Sequence, residues 1–593
     1  MPPLPLVSNP SLFSGRRLGA LPLLGALLLA PGCAPESVES PRLQQVEQSV
    51  VTLPIRINVG GEAYTDSTGK VWDADWGFSG GSPVVMTQPI SGTEEDPLYQ
   101  SARTNGQFSY TLPVPGPGVY RVDLHFADEL GPGFHTFDIS AEEGMYVEGF
   151  DLGKEAGTFN AYTVSLDVMV DDDQLVLGFG YPDGYATLSA LEVKRSSWQA
   201  LGGLLAGGTR PSSPREPVMA VDSLSRPTVA WVENVYPESG SGFVTTQLLV
   251  RRWSGSQWLP VGGGLGSPEA GDVTSPSLVL DASGRPLVAF MQSYADSISV
   301  VRWNGTLWQE MPPVIVPDRE VPQGVSLALT PSGYPVVAIA MKSYFSWSSY
   351  DTQPRVYVYQ WNGLAWTQLG AAMESGTGLG AARNPSLAID RYGRAVVAWD
   401  AYDDSNPYLS RGTVHVFRYE AGQWVRLGGV LNHTPENEYA VAENPSLVVD
   451  PIEGTPSVAW IDESRVSVER RIFVARWSAA NGAWSQLTDN GLDGWSRSST
   501  EAYGPALAAG RDGSLVATWN ERARYLTSTP HFLRKWSGGQ WSAIASNPHA
   551  MMSSNYYVDS ALALDASNQP LLMSPISTWS PWREGFYVRQ FVP

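Results

Sequence analysis

From Leu53 to the C-terminus, apolar residues come in short runs that alternate with polar ones and are cut off by Gly, Pro, Asn or Asp. In Gly118-Val119-Tyr120-Arg121-Val122-Asp123-Leu124-His125-Phe126-Ala127-Asp128, the residues Tyr120, Val122, Leu124 and Phe126 alternate with Arg121, Asp123 and His125. A strand with one face on a core requires that period of two. Phe137-Asp138-Ile139, Leu175-Val176-Leu177 and Ala190-Leu191-Glu192-Val193 read as further strands, and Asp171-Asp172-Asp173 reads as a solvated hairpin turn.

Further along, the alternation itself repeats. The phrase Pro276-Ser277-Leu278-Val279-Leu280-Asp281-Ala282-Ser283-Gly284-Arg285-Pro286-Leu287-Val288-Ala289-Phe290, then Val300-Val301-Arg302-Trp303-Asn304-Gly305-Thr306-Leu307-Trp308, recurs from Pro217, Pro276, Val325, Pro385, Pro445, Pro505 and Ser560. A period of roughly 50 to 60 residues indicates a propeller, solenoid or array. In the second copy the predicted strands are Ser277–Asp281, Pro286–Met291, Ile298–Trp303 and one containing Trp308, with Asn304-Gly305 as the hairpin turn. The last copy stops at Pro593 with Phe591 where the first Trp belongs, so it lacks its fourth strand. Trp198-Gln199-Ala200-Leu201-Gly202-Gly203 matches Trp424-Val425-Arg426-Leu427-Gly428-Gly429 and is a fourth strand with no other three. The two ends complete each other, which predicts a seven-bladed β-propeller over 196–593, closed by an N-terminal strand and without an exposed sheet edge.

The recurring pairs Trp253/Trp258, Trp303/Trp308, Trp361/Trp366 and Trp536/Trp541, with the variants Tyr419/Trp424 and Trp477/Trp484, are expected to pack between neighbouring blades. The connections between second and third strands differ from copy to copy, and loops on a rigid scaffold are where binding concentrates. Tyr344, Trp347, Tyr402, Asp404, Asp462 and Glu463 are the candidate residues of that face.

The region 53–195 carries Arg56-Ile57-Asn58-Val59-Gly60-Gly61, Ile90-Ser91-Gly92-Thr93, Leu98-Tyr99-Gln100-Ser101-Ala102-Arg103 and His125-Phe126-Ala127-Asp128. In this order the segments resemble the malectin domain, a carbohydrate-binding β-sandwich of jelly-roll type. The resemblance implies a β-sandwich over 53–195, which with the repeat array makes the fold class all-β, and a sugar site built from aromatic stacking faces and an aspartate that accepts from hydroxyls. It places the aromatic position on Trp72 and the aspartate on Asp183, within Tyr181-Pro182-Asp183-Gly184-Tyr185. Adjacent aromatics of the family are replaced here by Glu129-Leu130-Gly131, and Phe134 and Tyr185 stand on neighbouring loops where they can compensate.

Charge narrows the partners. With 59 acidic and 38 basic residues the net charge is −21, which repels phosphate backbones and anionic lipid, so nucleic acid is excluded. Arg16 and Arg17 precede the apolar run Leu18 to Leu29, which is signal-peptide length, and Ala30-Pro31-Gly32-Cys33 resembles a bacterial lipobox. This reading makes 1–33 a lipoprotein signal ending at a lipidated Cys33, with 34–52 a polar tether. The membrane is then reached through the lipid alone, at the outer membrane or cell surface; without lipidation the protein is secreted. Cys33 is the single cysteine, so no intrachain disulfide or cysteine metal cluster exists.

The six histidines, His125, His135, His415, His433, His531 and His549, are not spaced as metal ligands, and no phosphate loop, dinucleotide fingerprint or nucleophile elbow appears. No catalytic residue, metal or cofactor is assigned. The leading expectation is a lipid-anchored envelope protein that binds glycan or polysaccharide through 53–195, with the propeller face open to a surface protein. A carbohydrate-active hydrolase or lyase, with Asp462, Glu463, Glu521 and Arg522 over the channel, is one alternative. An assembly module without sugar binding is the other.

Overall fold

The computed structural model describes residues 51–593 apart from 143, 181–183, 207–213, 236–244, 267–270, 294, 296, 318–319, 344–353, 376–379, 404–410, 433–440, 465–468, 490, 493–499, 524–530, 545–559 and 580–581. Cys33, the tether, Asp183, Tyr344, Trp347 and Asp404 lie outside the described residues.

Residues 55–195 form two six-stranded sheets packed face to face. The first is built around Ile55–Asn58, Gly118–Phe126, Tyr162–Val170 and Ala190–Arg195. The second carries Phe78–Val85, Ser101–Pro113, Gln174–Gly180 and Thr136–Ala141 side by side, with Gly144–Asp151 at the edge. The inward positions of the two-residue period fill the space between the sheets: Tyr120, Val122, Leu124 and Phe126 from one side, Phe108, Tyr110, Leu112, Leu177 and Phe179 from the other. Asp171-Asp172-Asp173 is not a hairpin turn. Tyr162–Val170 pairs within the first sheet and Gln174–Gly180 within the second, so the acidic run carries the chain from one sheet to the other over solvent.

Each copy of the repeat folds as antiparallel strands laid in sequence order. In the second copy these are Val273–Leu280, Pro286–Gln292, Ser297–Trp303 and Trp308–Glu310. Copies four to six join into one 12-stranded sheet through single parallel bridges, Gly412 to Val441 and Arg470 to Glu501. The last copy supplies Ala561–Leu564, Pro570–Trp579 and Trp582–Phe591, and its fourth strand is Trp198–Ala200, with Trp198 opposite Phe591. The Leu201 N–H donates to the Val588 carbonyl at 2.8 Å and the Val592 N–H to the Ser197 carbonyl at 2.7 Å. The first strands of successive copies touch one another, and Ala561–Leu564 touches both Thr500–Ala509 and Arg215–Val221 of the first copy. The sandwich core runs on into this region, where Trp198, Val516, Leu533, Ile544, Leu572 and Tyr587 belong to the same buried cluster.

Three side-chain devices recur with the phrase. The first is the Asp at the end of strand one. Asp281 Oδ1 accepts the Ser283 and Arg285 N–H groups at 2.8 and 3.0 Å, and Asp390 does the same for Tyr392 and Arg394 at 2.9 Å each. Asp-x-x-Gly is thus a turn cap, the usual work of aspartate beside a glycine.

The second device is a serine ladder along the first strands. The Leu327 N–H donates to Ser277 Oγ at 2.9 Å, Leu387 to Ser326 at 3.0 Å, Leu447 to Ser386 at 2.9 Å and Leu507 to Ser446 at 3.0 Å. Each bond crosses from one copy to the next.

The third is the tryptophan beside the third turn. Trp308 Nε1 donates to the Val261 carbonyl of the preceding copy at 2.9 Å, Trp424 to Leu369 at 2.7 Å, Trp484 to Leu427 at 2.8 Å and Trp541 to Leu487 at 2.9 Å. After three of these carbonyls a glycine, Gly262, Gly370 or Gly428, admits the rings, while Thr488 follows Leu487. Gly262 has φ +71°, and a Cβ there would lie 2.6 Å from Trp308 Nε1. Trp198 and Phe591 rebuild the aromatic pair at the junction of the chain ends, with ring centroids 5.5 Å apart.

The predicted two-residue Asn-Gly turn is longer. Trp303 pairs with Trp308, so four residues form the loop, and Asn304 Oδ1 accepts the Thr306 and Leu307 N–H groups at 2.9 and 3.0 Å. Gly305 alone of the pair has positive φ, at 109°.

Replacing Trp484 by Phe keeps the apolar contact and strands the buried Leu427 carbonyl. A loss of about 1–3 kcal/mol in unfolding free energy is expected from urea titration. Gly429→Ala, where an added Cβ meets nothing within 4 Å, is expected to leave the midpoint unchanged.

Candidate functional site

The motifs of the first region converge on one buried carboxylate. Asp75 Oδ2 accepts the Gly60 N–H at 2.8 Å and Arg103 Nη2 at 2.6 Å, while Oδ1 accepts the Tyr110 hydroxyl at 2.7 Å. Arg103 also donates to the Gly80 and Gly81 carbonyls, both at 3.0 Å. Gly60 must lack a side chain because a Cβ would sit 2.1 Å from the Ala102 carbonyl oxygen. Asn58 closes the arrangement, accepting from Ser101 Oγ at 2.7 Å and donating to the Glu62 carbonyl at 2.8 Å. Asp128 is buried and His125 half-buried: His125 Nδ1 bonds the Tyr99 hydroxyl at 2.9 Å, and Asp128 bonds His135 Nδ1 at 2.7 Å. These residues set loop shape.

Trp72 sits among them. It is 4% exposed, donates Nε1 to Asp66 Oδ2 at 3.2 Å and meets the His125 ring edge-on at 5.6 Å. This corrects the expectation of a ring face open to a ligand. Val71–Ala74 turns its alternate residues inward, and Trp72 packs with Ile90, Leu98 and Tyr99 in a satellite core. Phe134 and Tyr185, in contrast, are 60% and 62% exposed. Their loops meet: a Cβ on Gly184 would lie 1.9 Å from the Thr136 carbonyl oxygen, two residues beyond Phe134. The structure therefore brings Phe134 and Tyr185 to one end of the sandwich and takes Trp72 out of their surface.

Residues 53–189 match the family model of the malectin domain. This segment is a malectin domain. Kinesin-like protein KIN-14R of Arabidopsis thaliana is 34% identical over 128 residues, 20% of this chain and 12% of that protein, so the chain spans about an eighth of that relative's length. Among solved structures, β-glucuronidase of Bacteroides uniformis is 25% identical over 24% of this chain and 18% of its own, with a TM-score of 0.23. The ANXUR1 extracellular domain of Arabidopsis thaliana is 17% identical over 30% and 49% of the two chains, also with a TM-score of 0.23. A protein of unknown function from Dyadobacter fermentans covers 66% of this chain and 98% of its own at 10% identity, with a TM-score of 0.37.

Beyond the malectin domain, the carboxylates expected on the variable end of the repeats have local partners. Asp462 is 4% exposed and accepts Trp460 Nε1 at 3.3 Å; Glu521 is 4% exposed and accepts Trp519 Nε1 at 2.8 Å. Glu233 does the same for Trp231 at 2.6 Å. An acid two residues after a second-strand Trp is thus a repeated device, and these fully buried tryptophans were not singled out by the sequence reading. The signal is Val-Ala-Trp with an acid two residues after the Trp, at Val229 and Val458; the copy at Val397 has Asp400 directly after Trp399, whose Nε1 makes no hydrogen bond among the described residues.

Tyr402 and Glu463 belong to a network that crosses copies four to six. The Arg383 guanidinium lies 4.0 Å over the Tyr402 ring and pairs with Asp400 at 3.2 Å and Glu443 at 3.5 Å. Arg470 bonds Glu443, approaches Glu463 at 3.7 Å and sits over the Tyr503 ring at 4.8 Å. Cation, anion and aromatic alternate across the copies, although among the described residues Arg383 Nη2 and Arg470 Nε make ion pairs without a hydrogen bond. No group of His, Cys, Asp and Glu that could hold a metal ion occurs among the described residues.

Asp400 is fully buried, and desolvation pushes its carboxyl from 3.8 up to about 6, although Arg383 and Asn384 pull it down. A raised value in the folded state favours the protonated form. Its stabilising contribution is complete below the unfolded value and is lost as pH rises through about 6. The thermal midpoint of the protein relative to Asp400→Asn is expected to fall between pH 4 and 6 and to level off above; a constant difference across that window contradicts the assignment.

Proposed function

We propose that this protein is a glycan-binding component of the bacterial cell envelope, in which the malectin domain holds carbohydrate beside a repeat array that serves as an interaction scaffold. The observation that carries the reading is the malectin domain itself, with Phe134 and Tyr185 exposed at one end of it. Two ring faces on adjoining loops suit the C–H faces of a pyranose. Asp183, between them in sequence, would accept from sugar hydroxyls, and Trp72 acts from beneath by fixing the loops that surround it.

The array is read as a closed seven-bladed β-propeller. The run of contacts between first strands, its return from Ala561–Leu564 to Arg215–Val221, and the pairing of Trp198 with Phe591 support closure. Its variable end is assigned as the face for polysaccharide or a surface protein, with Tyr344, Trp347, Tyr402, Asp404 and Glu463 as its candidate residues and Asp462 buried against Trp460. Cys33, carrying lipid, tethers the whole through 34–52. No catalytic step is assigned, because Asp462 and Glu521 already serve as acceptors for buried indoles.

A glycan array probed with the full mature chain tests the reading, with Phe134→Ala/Tyr185→Ala as comparison. Retention of a defined glycan class, weakened about tenfold or more in the double variant, is expected; retention of none contradicts glycan binding, and release of reducing ends from a bound polysaccharide contradicts the non-catalytic role. Radiolabelled fatty acid is expected to enter the protein and to be lost in Cys33→Ala; equal labelling of both refutes the anchor.

A further inference from the structure

The outward face of the malectin domain's second sheet carries a cleft of about 760 Å³. Register shows how it arises. Ser79 lies opposite Ser109, Ser109 opposite Gly178 and Gly178 opposite Ser140, so one row of small polar positions crosses four adjacent strands. The next row is Gln107, Gly180 and Asp138. Adjacent strands are about 4.8 Å apart, so the first row is about 14 Å long and the second about 10 Å, the length of a short oligosaccharide.

Glycine makes the floor. Gly178 and Gly180 interrupt a strand whose alternate residues, Leu175, Leu177 and Phe179, are buried, so nothing rises from its outer face at these positions. Glycine inside a strand weakens it and marks a place where another backbone or a ligand approaches closely. A Cβ on Gly178 would lie 2.4 Å from Ser140 Oγ.

The walls are chemically uniform. Ser79, Ser109 and Ser140 offer hydroxyls, Gln107 an amide and Asp138 a carboxylate, and no Lys or Arg lines the cleft. Asp138 Oδ1 accepts the Gly149 N–H at 2.7 Å, and no described residue bonds its second oxygen. Burial raises the Asp138 carboxyl above the ordinary range. A phosphorylated or otherwise anionic ligand would meet a carboxylate and no counter-charge. A neutral polyhydroxylated one would find donors and acceptors along its whole length.

One wall of the cleft approaches the loop that carries Tyr185: Gly106 lines it, and a Cβ on Gly106 would lie 4.0 Å from the Gly184 carbonyl oxygen. Gly180 ends its strand beside it, and a Cβ on Gly180 would lie 2.7 Å from the Gly106 carbonyl oxygen.

We propose that this sheet face is an extended glycan-binding groove that takes an internal stretch of a neutral oligosaccharide, continuing from the loop end held by Phe134 and Tyr185. The proposal rests on the glycan reading above and extends it from a terminal contact to a chain. Gln107, Ser109, Ser140 and Asp138 set the preference for neutral sugars, and the glycine floor sets the depth.

Calorimetric titration of the full mature chain decides it, using β-1,4-gluco-, β-1,3-gluco- and α-1,4-gluco-oligosaccharides from disaccharide to hexasaccharide, with galacturonic acid oligosaccharides as the charged series. Affinity for one neutral series is expected to rise about tenfold or more with length. Ser109→Tyr, which fills the groove from an outward position, is expected to abolish that rise while disaccharide binding survives. Asp138→Asn, a smaller change, is expected to reduce the rise and to narrow the gap between neutral and charged series. Affinity independent of length, or a rise that both variants retain, overturns the groove and leaves loop-end binding intact. Absence of binding to every series overturns the groove and the glycan reading together.

Discussion

An indole N–H that must find an acceptor ties each repeat to the one before it. Trp308, Trp424, Trp484 and Trp541 each reach back to a backbone carbonyl 47 to 57 residues earlier, at 2.7 to 2.9 Å. A hydrogen bond of this kind contributes only about 1 kcal/mol net, but leaving a buried partner unmade costs more, so the bond acts chiefly as a constraint on position. A glycine stands beside three of these acceptors, Gly262, Gly370 and Gly428, where an added Cβ would come within 2.6 to 3.2 Å of the rings. The serine ladder ties the first strands of successive copies in the same way, and together the two devices fix neighbouring sheets at two places.

A scaffold so fixed uses up much of the chemistry that looks functional on the page. Asp281 and Asp390 cap turns, Asp462 and Glu521 receive buried indoles, and Glu443 is shared between Arg383 and Arg470. In the malectin domain Asp75, Arg103, His125 and Asp128 are likewise occupied in holding loops. What remains for a ligand is less conspicuous: two exposed aromatic rings and a sheet face of serine, glycine, glutamine and one half-satisfied aspartate.

That division explains what could be read in advance. The strands, the repeat and the match between Trp198 and the vacant place beside Phe591 are properties of short-range alternation and period, which a linear sequence displays directly. The burial of Trp72 was hidden because a two-residue period marks two faces without saying which one meets a core. The turn at Asp171-Asp172-Asp173 looked like a hairpin because pairing partners far away in the chain leave no local trace. The groove escaped for the same reason. Ser79, Ser109, Gly178 and Ser140 are neighbours only across strands, and each alone is an ordinary surface residue. Gly178 and Gly180 inside a strand were the one visible sign.

The chain ends carry the heaviest demand on this arrangement, since Trp198–Ala200 and Trp582–Phe591 meet across almost the whole repeat array. Amide hydrogen exchange at Leu201 and Leu205, whose N–H groups donate to the Val588 and Phe586 carbonyls, tests the junction directly. Both amides are expected to exchange as slowly as those in the centres of the other sheets. Exchange at the rate of exposed chain would show that the ends do not hold each other and would contradict the account.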